Sequence, residues 1–179
     1  MDLKNCVKTN SGKFINLLAP RPETITADDL AHGLSLAPIH LGYPVHLSVA
    51  KHTLDMVSHI EQKNPKANGK LKLHALLCRA SEAYIPNVPS PLKKENKEYY
   101  GIEQTMMDVI YEKFGIVESD YLAEVDAVDK RITELEMQVW LHGKADNSYK
   151  IEYIKKAWRE KLSNIIRQIE AENKEGGVK

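Results

Sequence analysis

Hydrophobic positions along the chain recur mainly at three- and four-residue intervals, the signature of helices with one buried face. After an irregular opening through Ser11-Gly12 and Ala19-Pro20-Arg21-Pro22, Thr26 followed by Asp29 predicts a capped helix from Ala27 to about Leu36. Pro38, Gly42 and Pro44 break it. Val49, Met56, Val57 and Ile60 predict a second helix from about His46 to Gln62, which Asn64-Pro65 and Asn68-Gly69 end. Leu71 to Tyr84 is apolar around most of its circumference, the pattern of a central helix packed on several sides. Pro86, Pro89 and Pro91 predict an extended loop. Tyr99, Ile102, Met106, Val109, Ile110 and Phe114 trace a further helix that Gly115 can terminate. Ser119 is placed to cap another, with Leu122, Val125, Val128, Ile132, Leu135 and Val139 inside. A last helix over about 148–172 puts Ile151, Ile154, Trp158, Leu162, Ile165 and Ile169 on one stripe, able to pack within the chain or between subunits, and the tail Glu175 to Lys179 is expected to fray. No convincing period-2 run, glycine-rich phosphate loop or internal repeat interrupts this plan. The expected fold is all-α, a compact multi-helix bundle forming a single domain over 1–179.

Composition narrows the functional classes. With 25 Lys+Arg against 25 Asp+Glu, the chain has no net field to gather a polyanion, which argues against extended nucleic-acid binding and leaves room for a small phosphate-bearing ligand. A hydrophobic share of 42% over 179 residues can bury a real core. No apolar stretch approaches the ~20 residues a membrane-spanning helix needs. Cys6 and Cys78 lie far apart and no basic, then apolar, leader opens the chain, so the expected setting is the cytoplasm, with both thiols reduced.

The helical plan brings certain polar residues to buried faces. Ala75, Cys78 and Glu82 share a face with Arg79 beside them, and His52 shares the apolar edge of its helix with Val49 and Met56. Asp129 lies beside Val125, Val128 and Ile132, where a carboxylate needs a partner or a ligand. The pattern alone favours an interior His52, an Asp129–Arg79 ion pair and Cys78 as a small filler over metal binding by these groups. His32, His40, His46, His59, His74 and His142 show no metal-ligand spacing. Lys93-Lys94 and Lys155-Lys156 read as solvated pairs.

A family resemblance adds to this. Ser11-Gly-Lys-Phe14, Asp29-Leu-Ala-His-Gly-Leu-Ser35, Ser48-Val-Ala-Lys-His52, the stretch Ala75 to Lys93, and Val128-Asp129 with Thr133-Glu134 occur in an order and spacing that resembles the HD-domain phosphohydrolases. Within these the chain is most similar to the small bacterial and phage subgroup of 5'-deoxynucleotidases and dATP triphosphohydrolases. The resemblance covers about residues 8–136. In that family a divalent metal is held by a first His, a His-Asp doublet on the central helix and a later Asp, and it polarises phosphate and readies a water. The resemblance places the first ligand on His52 and the last on Asp129, whereas the doublet falls on Cys78-Arg79. The glutamate that assists proton transfer is retained as Glu82, and an acidic position five residues later has become Asn87. Ile39 and Tyr43 stand where the subgroup usually has an Arg and a Gly-His pair. Lys93, after Pro-Ser-Pro-Leu, is a candidate ligand contact.

An arginine in place of the doublet's aspartate removes a negative ligand and installs a permanent cation where the metal's charge would lie. The resulting expectation is a degenerate phosphohydrolase-like protein with impaired catalysis and no cofactor. It would bind a nucleotide or other phosphate ligand through Arg79, Asn87 and Lys93, or a protein partner, as a homo-oligomer in a bacterial host's cytoplasm. The alternative is a metal-dependent nucleotide phosphohydrolase with Glu82 catalytic and His52, Cys78 and Asp129 holding manganese, cobalt, zinc or magnesium.

Overall fold

The computed structural model describes residues 3–42, 47–117, 121–141 and 150–176, the side chains of Ser90, Trp140 and Gly176 aside. Seven helices dominate: α1 (Ala27–Leu36), α2 (Val49–Lys63), α3 (Gly69–Leu77), α4 (Ser90–Glu95), α5 (Lys97–Phe114), α6 (Leu122–Leu141) and α7 (Ile151–Gly176). The only sheet among the described residues is an antiparallel hairpin of β1 (Cys6–Lys8) and β2 (Phe14–Asn16), in the segment whose sequence reads as irregular. Three-residue strands are too short to leave an alternation in the sequence. The all-α bundle expected from the pattern is the fold observed.

Local chemistry fixes the helix ends. The Thr26 hydroxyl accepts from the Asp29 amide at the start of α1, and the Ser48 hydroxyl accepts from the Lys51 amide at the start of α2. Gly115, at φ 65°, ends α5 in the left-handed region, with the Ile116 amide bonded to the Tyr111 carbonyl. Ser90 and Pro91 begin the short α4 inside the expected extended loop, because proline is well suited to a helix's first turn. Tyr43, Pro44, His46, Ser119 and His142 lie outside the described residues, as do residues 177–179 of the tail.

α3 is buried almost throughout and packs against α2, α6 and α7. The stripe of α7 closes the core within the chain: Ile154, Trp158, Leu162 and Ile165 are buried, while Ile151 is exposed. On α6, Val125 and Ile132 are buried, but Leu122 and Val139 are exposed, so its inner face is narrower than the pattern predicts. No helix among the described residues is long and apolar enough to cross a membrane.

Candidate functional site

The central helix does not continue to Tyr84. α3 ends at Leu77, Arg79 takes non-helical torsions (φ −120°, ψ 22°), and a 3-10 turn follows over Ala80–Ala83. Two contacts hold this break. The Ser81 amide points at Met107 Sδ on α5 (3.2 Å), and Ala83 lies so close to Gly33 of α1 that a Cβ at Gly33 would meet the Ala83 carbonyl oxygen at 2.5 Å. Sequence periodicity cannot register a break whose cause is a contact with a distant helix.

From this break Arg79 reaches α6. Its Nη2 donates to Asp129 Oδ2 (2.8 Å) and Oδ1 (3.0 Å), and its Nε donates to Oδ1 (3.2 Å). Asp129 Oδ1 also receives His52 Nε2 at 2.6 Å. The other ring nitrogen, Nδ1, faces Glu136 Oε1 at 2.9 Å. A neutral imidazole has one N–H, so donating to both carboxylates requires the doubly protonated ring. Burial works against that charge, but the Asp129 and Glu136 hydrogen bonds outweigh it and raise the His52 pKa above its ordinary value. Burial likewise opposes the Asp129 charge, yet His52 and Arg79 pull its pKa down to about 2. With His52 protonated, two cations and two carboxylates balance within one seam between α2, the α3 break and α6.

Glu82 sits at its edge. Burial raises its pKa against the pull of Arg79, whose Nη1 lies 3.5 Å from Oε1. Glu82 Oε2 is buried without a hydrogen-bond partner among the described residues. Two cavities flank Arg79. A polar cleft of about 660 Å³ is lined by His40, Arg79, Asn87, Lys93, Asp129 and Lys130 among others. A smaller one of about 240 Å³ lies against Glu82, Lys93, Glu103 and Asp126. Lys93 Nζ is held by Glu103 Oε1 at 2.6 Å.

The residues present do not fit the metal that the resemblance implies. Both ring nitrogens of His52 face carboxylates, and both oxygens of Asp129 are bonded to Arg79. Cys78, expected as a third ligand, turns its thiol to the Ala75 carbonyl (3.3 Å) and Met56 Sδ (3.9 Å). Burial pushes that thiol up to about 12, against the pull of Arg79. Among the described residues no three His, Cys, Asp or Glu side chains are disposed to hold an ion.

Of the residues singled out in the sequence, His52, Arg79 and Asp129 form one connected set, with Glu82 at its margin and Asn87 and Lys93 on the cleft walls. Cys78 stands apart from it. Sequence reading missed Glu136, His40 and Lys130. Glu136 had a usable signal, since it lies seven residues after Asp129 and so returns to the same face two turns later.

No family model matches the chain. It is similar to an uncharacterized protein of Rhodobacter capsulatus, 29% identical over 110 residues, which cover 59% of this chain and 56% of the relative. It is also similar to the uncharacterized protein YfdR of Escherichia coli, 31% identical over 111 residues, covering 62% of this chain and 58% of the relative. The matches span little more than half the length of these curated relatives.

Proposed function

We propose that this chain is a degenerate HD-domain phosphohydrolase-like protein that binds a phosphate-bearing ligand, a nucleotide foremost, without metal and without effective catalysis. The observation that carries this reading is the two-pronged grip of Arg79 on Asp129, with His52 on the same carboxylate. A guanidinium and an imidazolium already neutralise the carboxylates that a divalent ion would have to use, and such an ion would bring two further charges into a balanced seam. Arg79, Lys93 and Lys130 line the polar cleft together, cations suited to phosphate oxygens, with Lys93 drawn to Glu103 while no ligand is bound. Asn87 adds a neutral polar side chain to the same wall.

The test is metal content by plasma mass spectrometry of protein purified without chelator, with phosphate release from deoxynucleotides in added manganese or cobalt. The expected outcome is no bound metal, no release above blank, and a rise in melting temperature with inorganic phosphate. Near-stoichiometric metal together with phosphate release abolished by His52→Ala would instead establish the metal-dependent enzyme.

A further inference from the structure

Between the α3 break and α5 the chain makes a loop whose ends are tied together. The Tyr99 hydroxyl, early in α5, donates to the Pro86 carbonyl, and Asn96 Oδ1 accepts from the Tyr99 amide at 3.0 Å to cap the same helix. A surface loop with adjacent ends behaves as a unit. What lies between the ties is held loosely. Pro91, Leu92, Lys94, Glu95 and Asn96 are all exposed, Leu92 at 60%. Among the described side chains of α4, Lys93 alone turns inward, where its Nζ meets Glu103 Oε1 on α5 at 2.6 Å. A six-residue helix has little stability of its own and depends on what it packs against. Here that support is one ion pair, partly open to water with side chains 23% and 13% exposed, which is a weak fastening.

The same loop forms a wall of the polar cleft. Asn87, Val88, Pro89 and Lys93 line it together with Asp129 and Lys130 of α6. Lys93 also lines the small cavity beside α5, and there it shares the wall with Glu103. Glu103 is not among the described residues lining the polar cleft, so its carboxylate draws the ammonium away from that cleft toward α5. Pro86, Pro89 and Pro91 restrict the backbone between, which favours movement as one piece over local unravelling.

We propose that residues 87–96 are a flap over the polar cleft, hinged at the Tyr99–Pro86 tie and latched by Lys93 on Glu103. Release of Lys93 frees the flap and turns its ammonium to the cleft, so an anion entering there competes with Glu103 for the same donor. The motion stands on the chain alone, whereas its use as a gate for phosphate rests on the reading above.

Amide exchange read by mass spectrometry, with calorimetry against inorganic phosphate, tests this on the full chain, on Glu103→Gln and on Lys93→Met. In both variants the bonded amides at positions 92, 93 and 96 should exchange about three-fold faster or more, those of α5 beyond Tyr99 should keep their rates, and melting temperature should fall by less than about 4 °C. Phosphate should respond with opposite signs, binding about three-fold more tightly to Glu103→Gln and at least about three-fold more weakly to Lys93→Met. A pair that merely braces the fold would move both variants the same way. No acceleration in the flap, acceleration along the whole of α5, a larger fall in melting temperature, or weaker phosphate binding in both variants would each overturn the latch. If phosphate binds none of the three proteins, the phosphate reading falls, and the exchange pattern alone upholds or overturns the flap.

Discussion

The two sides of α2 are held by different physics. Toward α7, Thr53 meets a packed core in which Trp158 and Leu162 are buried, the Trp158 indole donating to Thr53 Oγ1 at 3.2 Å, with a Lys161–Glu61 ion pair at 2.8 Å on the partly exposed rim. Toward α6, His52 is just as buried but meets two carboxylates, and Arg79 supplies the second cation. The first side gains stability from every ångström of apolar surface it removes from water. The second recovers desolvation only while all four charges stay in place. One side is thus graded and tolerant, the other conditional on its full set.

The largest test of that contrast is Trp158→Ala, which should cost about 3–5 kcal/mol in urea unfolding, through lost burial and a cavity among rigid helices. A loss under ~1 kcal/mol would show that α7 is not integral to the core. Asp129→Ala should cost less, about 2 kcal/mol, since breaking a buried pair costs ~3–5 kcal/mol and Asp129 and Arg79 each remain about a quarter exposed. Here the coupling is diagnostic. Joining it with Arg79→Met should recover part of the loss, because both unmatched charges are then gone. Simple addition of the two single losses would refute the four-charge description.

A smaller effect should appear with pH. His52 has a folded pKa raised above 6.5, so its contribution is complete below pH 6.5 and is lost as pH rises through the folded value. Asp129 has its pKa depressed from 3.8 to about 2, so its contribution is present above pH 3.8 and disappears as pH falls toward 2. Glu82, raised above 4.5 by burial, adds a cost as pH climbs past that value. Melting temperature should therefore peak between about pH 4 and 6.5 and decline on the alkaline side. In His52→Gln the alkaline decline should flatten, and an unchanged slope would remove His52 as its cause. Least of all, Gly115→Ala should cost about 1 kcal/mol, the penalty of a Cβ at positive φ, with no change in ligand binding.

The α7 side was legible in the sequence because periodicity reports burial directly: Ile154, Trp158, Leu162 and Ile165 lie on the stripe that the spacing predicts. The α6 side was only partly so. That Asp129 needs a partner follows from its apolar neighbours, and Arg79 is the partner the pattern offered, whereas the bond from His52 to the same carboxylate was not anticipated. The break at Arg79 was hidden, because it depends on Gly33 meeting Ala83 across fifty residues of chain. The hairpin was hidden for a different reason, since three-residue strands carry too few positions to form a pattern. Cys78 shared the face that spacing assigned it, yet spacing says nothing of rotamer, and its thiol turned to Ala75.

The bond pattern of His52 also works as a ruler. A helix resting on an apolar groove can slip by one turn and meet similar side chains again, at little loss. An imidazole that engages Asp129 with one nitrogen and Glu136 with the other is matched by a single position of α6, because a slip in either direction would present it with a different pair. Leu122, Val139 and Leu141, all exposed, are apolar residues that a slipped α6 could bury. The polar seam thus decides which of several greasy alignments is the native one, a choice that apolar packing alone would leave open.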